Sequence, residues 1–158
     1  MAQPRRGRPA VTIAIRAGRP DDHPALLEIW LRAVRATHGF LTEDQIQALL
    51  PLLRDQYLAA VELWVAAGAD GAPEGFMGLD GSKVEMLFVD PDRHGRGTGR
   101  ALLAHAAALK GDLTLDVNEQ NPGALAFYRR CGFRQTGRSP LDGQGQPFPL
   151  IHMTSAAG

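Results

Sequence analysis

Three glycines alternate with arginine and threonine in Arg93-His94-Gly95-Arg96-Gly97-Thr98-Gly99-Arg100. Ahead of them lies a short apolar run, Val84 to Val89, closed by Asp90-Pro91, and behind them Leu102, Leu103, Ala106 and Leu109 recur at helical spacing. The run reads by length as a buried strand, and the stripe as the apolar side of an amphipathic helix. A strand that feeds a helix through such a loop leaves backbone N–H groups aimed outward, and without Cβ atoms a phosphate can approach them closely. The helix dipole and Arg93, Arg96 and Arg100 add positive potential at the same place. The chemistry expected is polyphosphate binding. A dinucleotide fingerprint fails, because the third glycine position falls on Arg100 or Leu102, and no glycine is followed by the Lys-Ser/Thr pair of a nucleoside-triphosphate loop.

What remains, His94-Gly95-Arg96-Gly97-Thr98-Gly99, resembles the Gln/Arg-x-x-Gly-x-Gly/Ala signature of the GNAT family of N-acetyltransferases, with His94 in place of the usual Gln or Arg. Asp116-Val117-Asn118-Glu119-Gln120-Asn121, Ala124, Phe127-Tyr128 and Cys131-Gly132-Phe133 match a second family block. Ala36 to Leu41 and the tail Gly137 to Leu150 look like the bacterial YjaB-like branch, so the similarity covers nearly the whole chain. The resemblance implies an acetyl-CoA-dependent N-acetyltransferase that carries an acetyl group directly to a primary amine, a protein lysine or N-terminus or a small molecule. It implies coenzyme A held by Leu87, Phe88, Val89, Arg93, His94, Gly95, Arg96, Gly97, Thr98, Gly99, Arg100, Asn121 and Tyr128. A non-catalytic acyl-CoA sensing module is the alternative.

Thioester cleavage releases a thiolate, and a tyrosine within reach can return its proton. Taken alone, Tyr128 reads as a buried tyrosine bonded to a backbone carbonyl; the resemblance makes it the general acid. The amine must also lose a proton. Glu85, inside an apolar strand, is a candidate base if burial raises its pKa, and an ordinary exposed residue if it faces outward. Asp116 and Glu119 are the other candidates. A backbone N–H between Leu87 and Val89 is expected to hold the oxyanion. Trp30, His38, Phe40 and Leu41 fall where the family builds its acceptor wall, although His38 also reads as a helix-end histidine. His152 is an outside candidate on the last strand. No histidine or cysteine spacing suggests a metal.

The elements that must position these groups read in order. Val11 to Arg16 alternates as a first strand; Asp21 or Asp22 caps a helix through about Thr37; Thr42 and Gln45 form a capping box for a second helix, broken or kinked at Pro51 with a shorter piece toward Leu58. Glu62 to Ala67 and Gly75 to Leu79 pair as a hairpin, and the strand, glycine loop and helix follow. Leu113 to Val117 is the next strand, Asn121 caps a helix with Pro122 first and Gly132 just past its end, and Phe133 to Arg138 with Phe148 to Met153 close as a hairpin. The fold class is α/β (α+β): a mixed, mostly antiparallel sheet of about six to seven strands flanked by about four helices. The resemblance adds a splay between strands 4 and 5.

At 158 residues and 44% hydrophobic composition, residues 10–158 are expected to form one domain behind a basic tail, residues 1–9. Zero formal net charge argues against nucleic acid or acidic membranes as partners, leaving an amine acceptor and a monomer or homodimer. One cysteine, Cys131, suits a reducing cytoplasm, and no apolar run is long enough for a bilayer.

Overall fold

The structure is a computed structural model that describes residues 13–93 and 95–157. Its strands are β1 (Ala14–Ala17), β2 (Glu62–Ala67), β3 (Pro73–Asp80), β4 (Lys83–Val89), β5 (Thr114–Asn118), β6 (Arg134–Ser139) and β7 (Leu150–Thr154), and its helices α1 (His23–Thr37), α2 (Glu43–Leu52), α3 (Thr98–Lys110) and α4 (Pro122–Arg130). They form one seven-stranded sheet in the order β1-β2-β3-β4-β5-β7-β6. Every neighbouring pair is antiparallel except β4 and β5. Val11, Thr12, the basic tail and His94 lie outside the described residues.

The apolar alternation sorts residues onto two faces. One buries Leu115, Val117, Ile151 and Met153 under Leu102, Leu103 and Ala106 of α3, with α4 against them. The other buries Val65 and Phe76 under Leu26, Ile29, Trp30 and Ile46 of α1 and α2. Trp30 is therefore a core residue, 6% exposed, and not part of an acceptor wall. Leu109, expected on the same stripe, is 49% exposed at the last turn of α3.

Local signals hold where their partners are close in sequence. Thr42 Oγ1 accepts from the Gln45 N–H while Gln45 caps the Thr42 N–H, and Asn121 Oδ1 accepts from the Ala124 N–H ahead of Pro122. Pro51 does not end α2. The chain absorbs the missing N–H by running to Leu52 and widening into a π-helical turn, Leu53–Tyr57, closed by the Leu58 N–H on the Leu53 carbonyl.

The parallel β4–β5 pairing opens the sheet. It has two rungs, Lys83 with Thr114 and Val84 with Leu115, although β4 runs on to Val89 and β5 to Asn118. The strands then part, leaving about 16 Å of β4 edge, Glu85 to Val89, without a strand on that side. A register shift beside Glu85 sets the side chains there: Gly78 pairs with Met86 and Leu79 with Val84, so Glu85 is the extra residue of a bulge. Val84 and Leu87 thus face α3, while Met86 and Phe88 face α1 and α2.

Candidate active site

The glycine turn lies at the end of β4 and is anchored from below. The Asp90 N–H donates to the Glu74 carbonyl (2.8 Å), the buried Asp90 carboxylate accepts from Arg32 (2.8 Å) and from the Asp92 N–H (3.0 Å), and a short turn, Pro91–Arg93, follows. The chain then passes Gly95 at φ +81° and Gly97 at φ +77°. A side chain would be strained at Gly97, which sits at the N-cap of α3. No side chain of Gly97 caps the helix, so the first-turn amides of Thr98, Gly99 and Arg100 are available to an anion. Thr98 is buried, and its Oγ1 has no hydrogen-bond partner among the described residues. At Gly99 an added Cβ would sit 3.1 Å from Phe127 Cζ, so the absent side chain lets α3 and α4 approach closely beside the gap.

The arginines do not all point where the spacing suggested. Arg93 Nη1 lies 3.0 Å from Oε1 of Glu74, a buried carboxylate on β3, and Arg96 Nη1 lies 3.7 Å from the same oxygen. One of their two charges is balanced by this internal carboxylate, and both side chains remain about 40% exposed. Arg100 is exposed. Glu74 was not singled out in the sequence; its only signal is a charged residue within the apolar strand Pro73–Asp80.

On α4, Tyr128 packs against the α3-side core. Its ring is half-buried edge-on against Phe127 (5.3 Å) and Phe133 (5.7 Å). Among the described residues no hydrogen bond reaches its hydroxyl; its carbonyl accepts from the Phe133 N–H (3.0 Å), but no carbonyl accepts from Oη. Burial, and secondarily nearby Cys131, push the hydroxyl well above the ordinary tyrosine range and keep it protonated.

The candidate bases separate. Glu85 is exposed and pairs with Lys83 (3.4 Å), so the expected desolvation is absent: the bulge turns it onto an open face. Glu119 is tied to Arg138. Asp116 has both oxygens engaged, Oδ1 with His152 Nδ1 (2.5 Å) and Oδ2 with Lys83 Nζ (3.1 Å). Burial pushes the Asp116 carboxyl up, but the hydrogen bonds from His152 and Lys83 outweigh it and hold the group below the ordinary carboxylate range. Beyond it, Ser139 Oγ lies 2.6 Å from His152 Nε2. The readable signal was a polar residue at the centre of two alternating strands, Leu115-Asp116-Val117 and Ile151-His152-Met153, whose pairing the sequence did not reveal.

On the α1 and α2 side of the gap, Phe40 and Leu41 line a cleft of about 340 Å³ with Leu49, Asn118 and Phe148. His38 stacks obliquely on Phe40 (5.3 Å) and reaches Phe88 of β4 (6.5 Å). Its burial pushes the imidazole below the ordinary histidine range.

This architecture agrees with comparisons to known proteins. The family model of the acetyltransferase (GNAT) domain matches residues 59–135. The chain is 43% identical over 143 residues to the peptidyl-lysine N-acetyltransferase YjaB of Escherichia coli K12, covering 90% of this chain and 97% of that one. It is 34% identical over 120 residues to the peptidyl-lysine N-acetyltransferase YiaC of the same organism, covering 75% and 82%. The solution structure of apo YjaB from Escherichia coli superposes with a TM-score of 0.86 at 41% identity, covering 93% of this chain and 99% of that one. With the parted β4 and β5, the uncapped glycine turn and this extent of identity, the chain belongs to the GNAT family of acetyltransferases.

Proposed function

We propose that the chain transfers the acetyl group of acetyl-CoA to the ε-amino group of a peptidyl lysine, directly and in a ternary complex. The observation that supports this reading is the two-rung β4–β5 pairing, which leaves a strand edge open beside an amide-lined turn. The donor suits these residues. Its diphosphate meets the amides of Gly97 to Arg100 at the positive end of α3. Its amide-bearing arm pairs with the free edge of β4 as an added strand would.

Transfer then needs four things of the chain. An N–H on the open side of Leu87 to Val89 holds the developing oxyanion. Tyr128 gives its proton to the departing sulfur as the C–S bond breaks. Asn121 fixes the start of α4 and so the place of Tyr128. His38, Phe40 and Leu41, with Phe148, form the apolar wall along which a lysine stem lies while its nitrogen reaches the thioester. Holding both substrates in one complex turns a bimolecular step into an oriented one, with no acetyl-enzyme needed. The peptidyl-lysine acceptor takes its support from YjaB and YiaC, which carry that activity in their names.

The test is thiol release from acetyl-CoA with a panel of lysine peptides, α-amino peptides and small amines, followed by mass spectrometry of the product. Saturable release with one acetyl group on the lysine nitrogen is expected. Tight calorimetric binding of acetyl-CoA without release on any amine would favour the sensing module.

A further inference from the structure

We infer that His152 is the general base of the transfer, that Asp116 orients it, and that Ser139 holds its free nitrogen. The inference rests on the amine-acceptor reading above. Asp116 and His152 are direct partners on neighbouring antiparallel strands, β5 and β7. The lowered Asp116 carboxylate can only accept, so the nitrogen facing it, Nδ1, carries the imidazole proton, and Nε2 presents its lone pair. The hydroxyl of Ser139 on β6, 2.6 Å away, donates to that lone pair. Gly137 lies opposite His152 in the same ladder, where an added Cβ would stand 3.4 Å from the ring.

The location connects this chain of contacts to the acceptor. Asp116 is the first β5 residue past the last rung shared with β4, so the dyad begins where the sheet opens. Leu115, Val117, Ile151 and Met153 point into the α3 and α4 core, which turns Asp116 and His152 to the opposite face. Asn118, two residues along that face, lines the cleft with Phe40 and Leu41. The charged groups near His152 are Asp116 on β5 and, behind it, Lys83 and Glu85 on β4. Lys83 already compensates Asp116, so His152 is not needed to neutralise a charge, and its side chain keeps 35% of its surface exposed. Asp116 itself has no free oxygen with which to take a proton.

In the step assigned to it, Nε2, which faces β6 rather than the opening, exchanges the Ser139 hydroxyl for a water that relays to it one proton of the acceptor ammonium. The freed amine lone pair attacks the thioester carbon, the C–N bond forms and the C–S bond breaks. The sulfur takes its proton from Tyr128, the second proton that the nitrogen sheds on becoming an amide returns through solvent to the Tyr128 phenolate, and the proton on His152 leaves to solvent past Ser139. His152 is thus a catalytic residue, and Asp116 and Ser139 are positioning residues.

The experiment is the pH profile of kcat/KM at saturating acetyl-CoA, from about pH 5.5 to about pH 9, on the full chain and its His152→Gln, Asp116→Asn and Ser139→Ala variants. His152→Gln should lose about a hundredfold in turnover, flatten the acidic limb and regain rate with added imidazole, with calorimetric affinity for coenzyme A within about twofold of the parent. Asp116→Asn should move the imidazole proton from Nδ1 to Nε2, read by nitrogen NMR of the ring, with a loss of about tenfold or more. Ser139→Ala should cost less than about tenfold. A His152→Gln protein that keeps the limb and runs within about threefold of the parent overturns the inference, as does an Nε2–H tautomer in the parent. If His152→Gln does not fold, the Asp116→Asn tautomer and rate decide. If the parent takes another amine but no lysine peptide, the acceptor reading fails and the profile is run on that amine; if it takes none, both fail.

Discussion

Arg93 turns back into the protein, its Nη1 3.0 Å from the buried Oε1 of Glu74. An arginine that the sequence offers to a phosphate is instead the counter-charge of a carboxylate on the neighbouring strand. Arg93→Gln should therefore cost stability more than affinity. Removing one partner of a buried pair costs about 3 to 5 kcal/mol, and the 40% exposure of Arg93 reduces this to about 2 kcal/mol. Urea unfolding should show that loss while calorimetry finds coenzyme A affinity within about threefold of the parent. A hundredfold drop in affinity would mean that Arg93 leaves Glu74 for the phosphate.

Gly97 and Gly99 should fail differently. Gly97→Ala places a side chain at φ +77°, with open space around it, so the cost is conformational: about 1 kcal/mol of stability. It also disturbs the amides at the start of α3, so coenzyme A affinity should fall at least about tenfold. Gly99→Ala keeps its backbone but presses on Phe127, the neighbour of Tyr128, from 3.1 Å. Its signature should be lowered kcat with smaller changes in binding, read from steady-state thiol release.

Tyr128→Phe removes a hydroxyl with no protein partner among the described residues, so unfolding free energy should change by less than about 0.5 kcal/mol, where a bonded buried hydroxyl would cost about 1 kcal/mol or more. Turnover should fall about a hundredfold with coenzyme A affinity retained. Because burial raises the Tyr128 pKa, the acid form persists to higher pH than in a free tyrosine. The parent should then show no loss of rate from Tyr128 ionisation below about pH 10.

Asp22 joins the start of α1 to β1 through Arg16, with contacts of 2.7 and 2.8 Å. The Arg16 hydrogen bonds lower its pKa from 3.8 to about 2. A depressed carboxylate contributes stability that is fully present above its unfolded pKa near 4 and is lost as pH falls through about 2. Asp22→Asn should cost about 2 kcal/mol at neutral pH and almost nothing near pH 2, measured by denaturation at both ends of that window.

Much of the fold was legible because its signals are local. A cap is a contract among residues three apart, and the Thr42–Gln45 and Asn121–Ala124 bonds formed as read. The strand-loop-helix order around Gly95 to Gly99 was equally local. The site was legible only in part, since its side chains meet through register. Arg93 finds Glu74 19 residues away, and His152 finds Asp116 36 residues away. The bulge that exposes Glu85 also lies in the pairing of β3 with β4, and helical spacing could not tell a core Trp30 from a wall. Pro51 carried a correct warning of disturbed helix, but the chain answered with a wider turn rather than a break.

The two shared rungs of β4 and β5 make that boundary a narrow seam with unequal sides. Beneath it, the apolar cluster under α3 binds both halves of the sheet, whereas the cluster under α1 and α2 stops at β4. The halves meet like the covers of a book whose spine is the α3 side, with Phe40 and Phe148 touching across the other side (5.4 Å). A guest lying between the covers would restrain them by mass action, and amide exchange should slow at 86–89 and 116–118 while the middle of α1 exchanges as before.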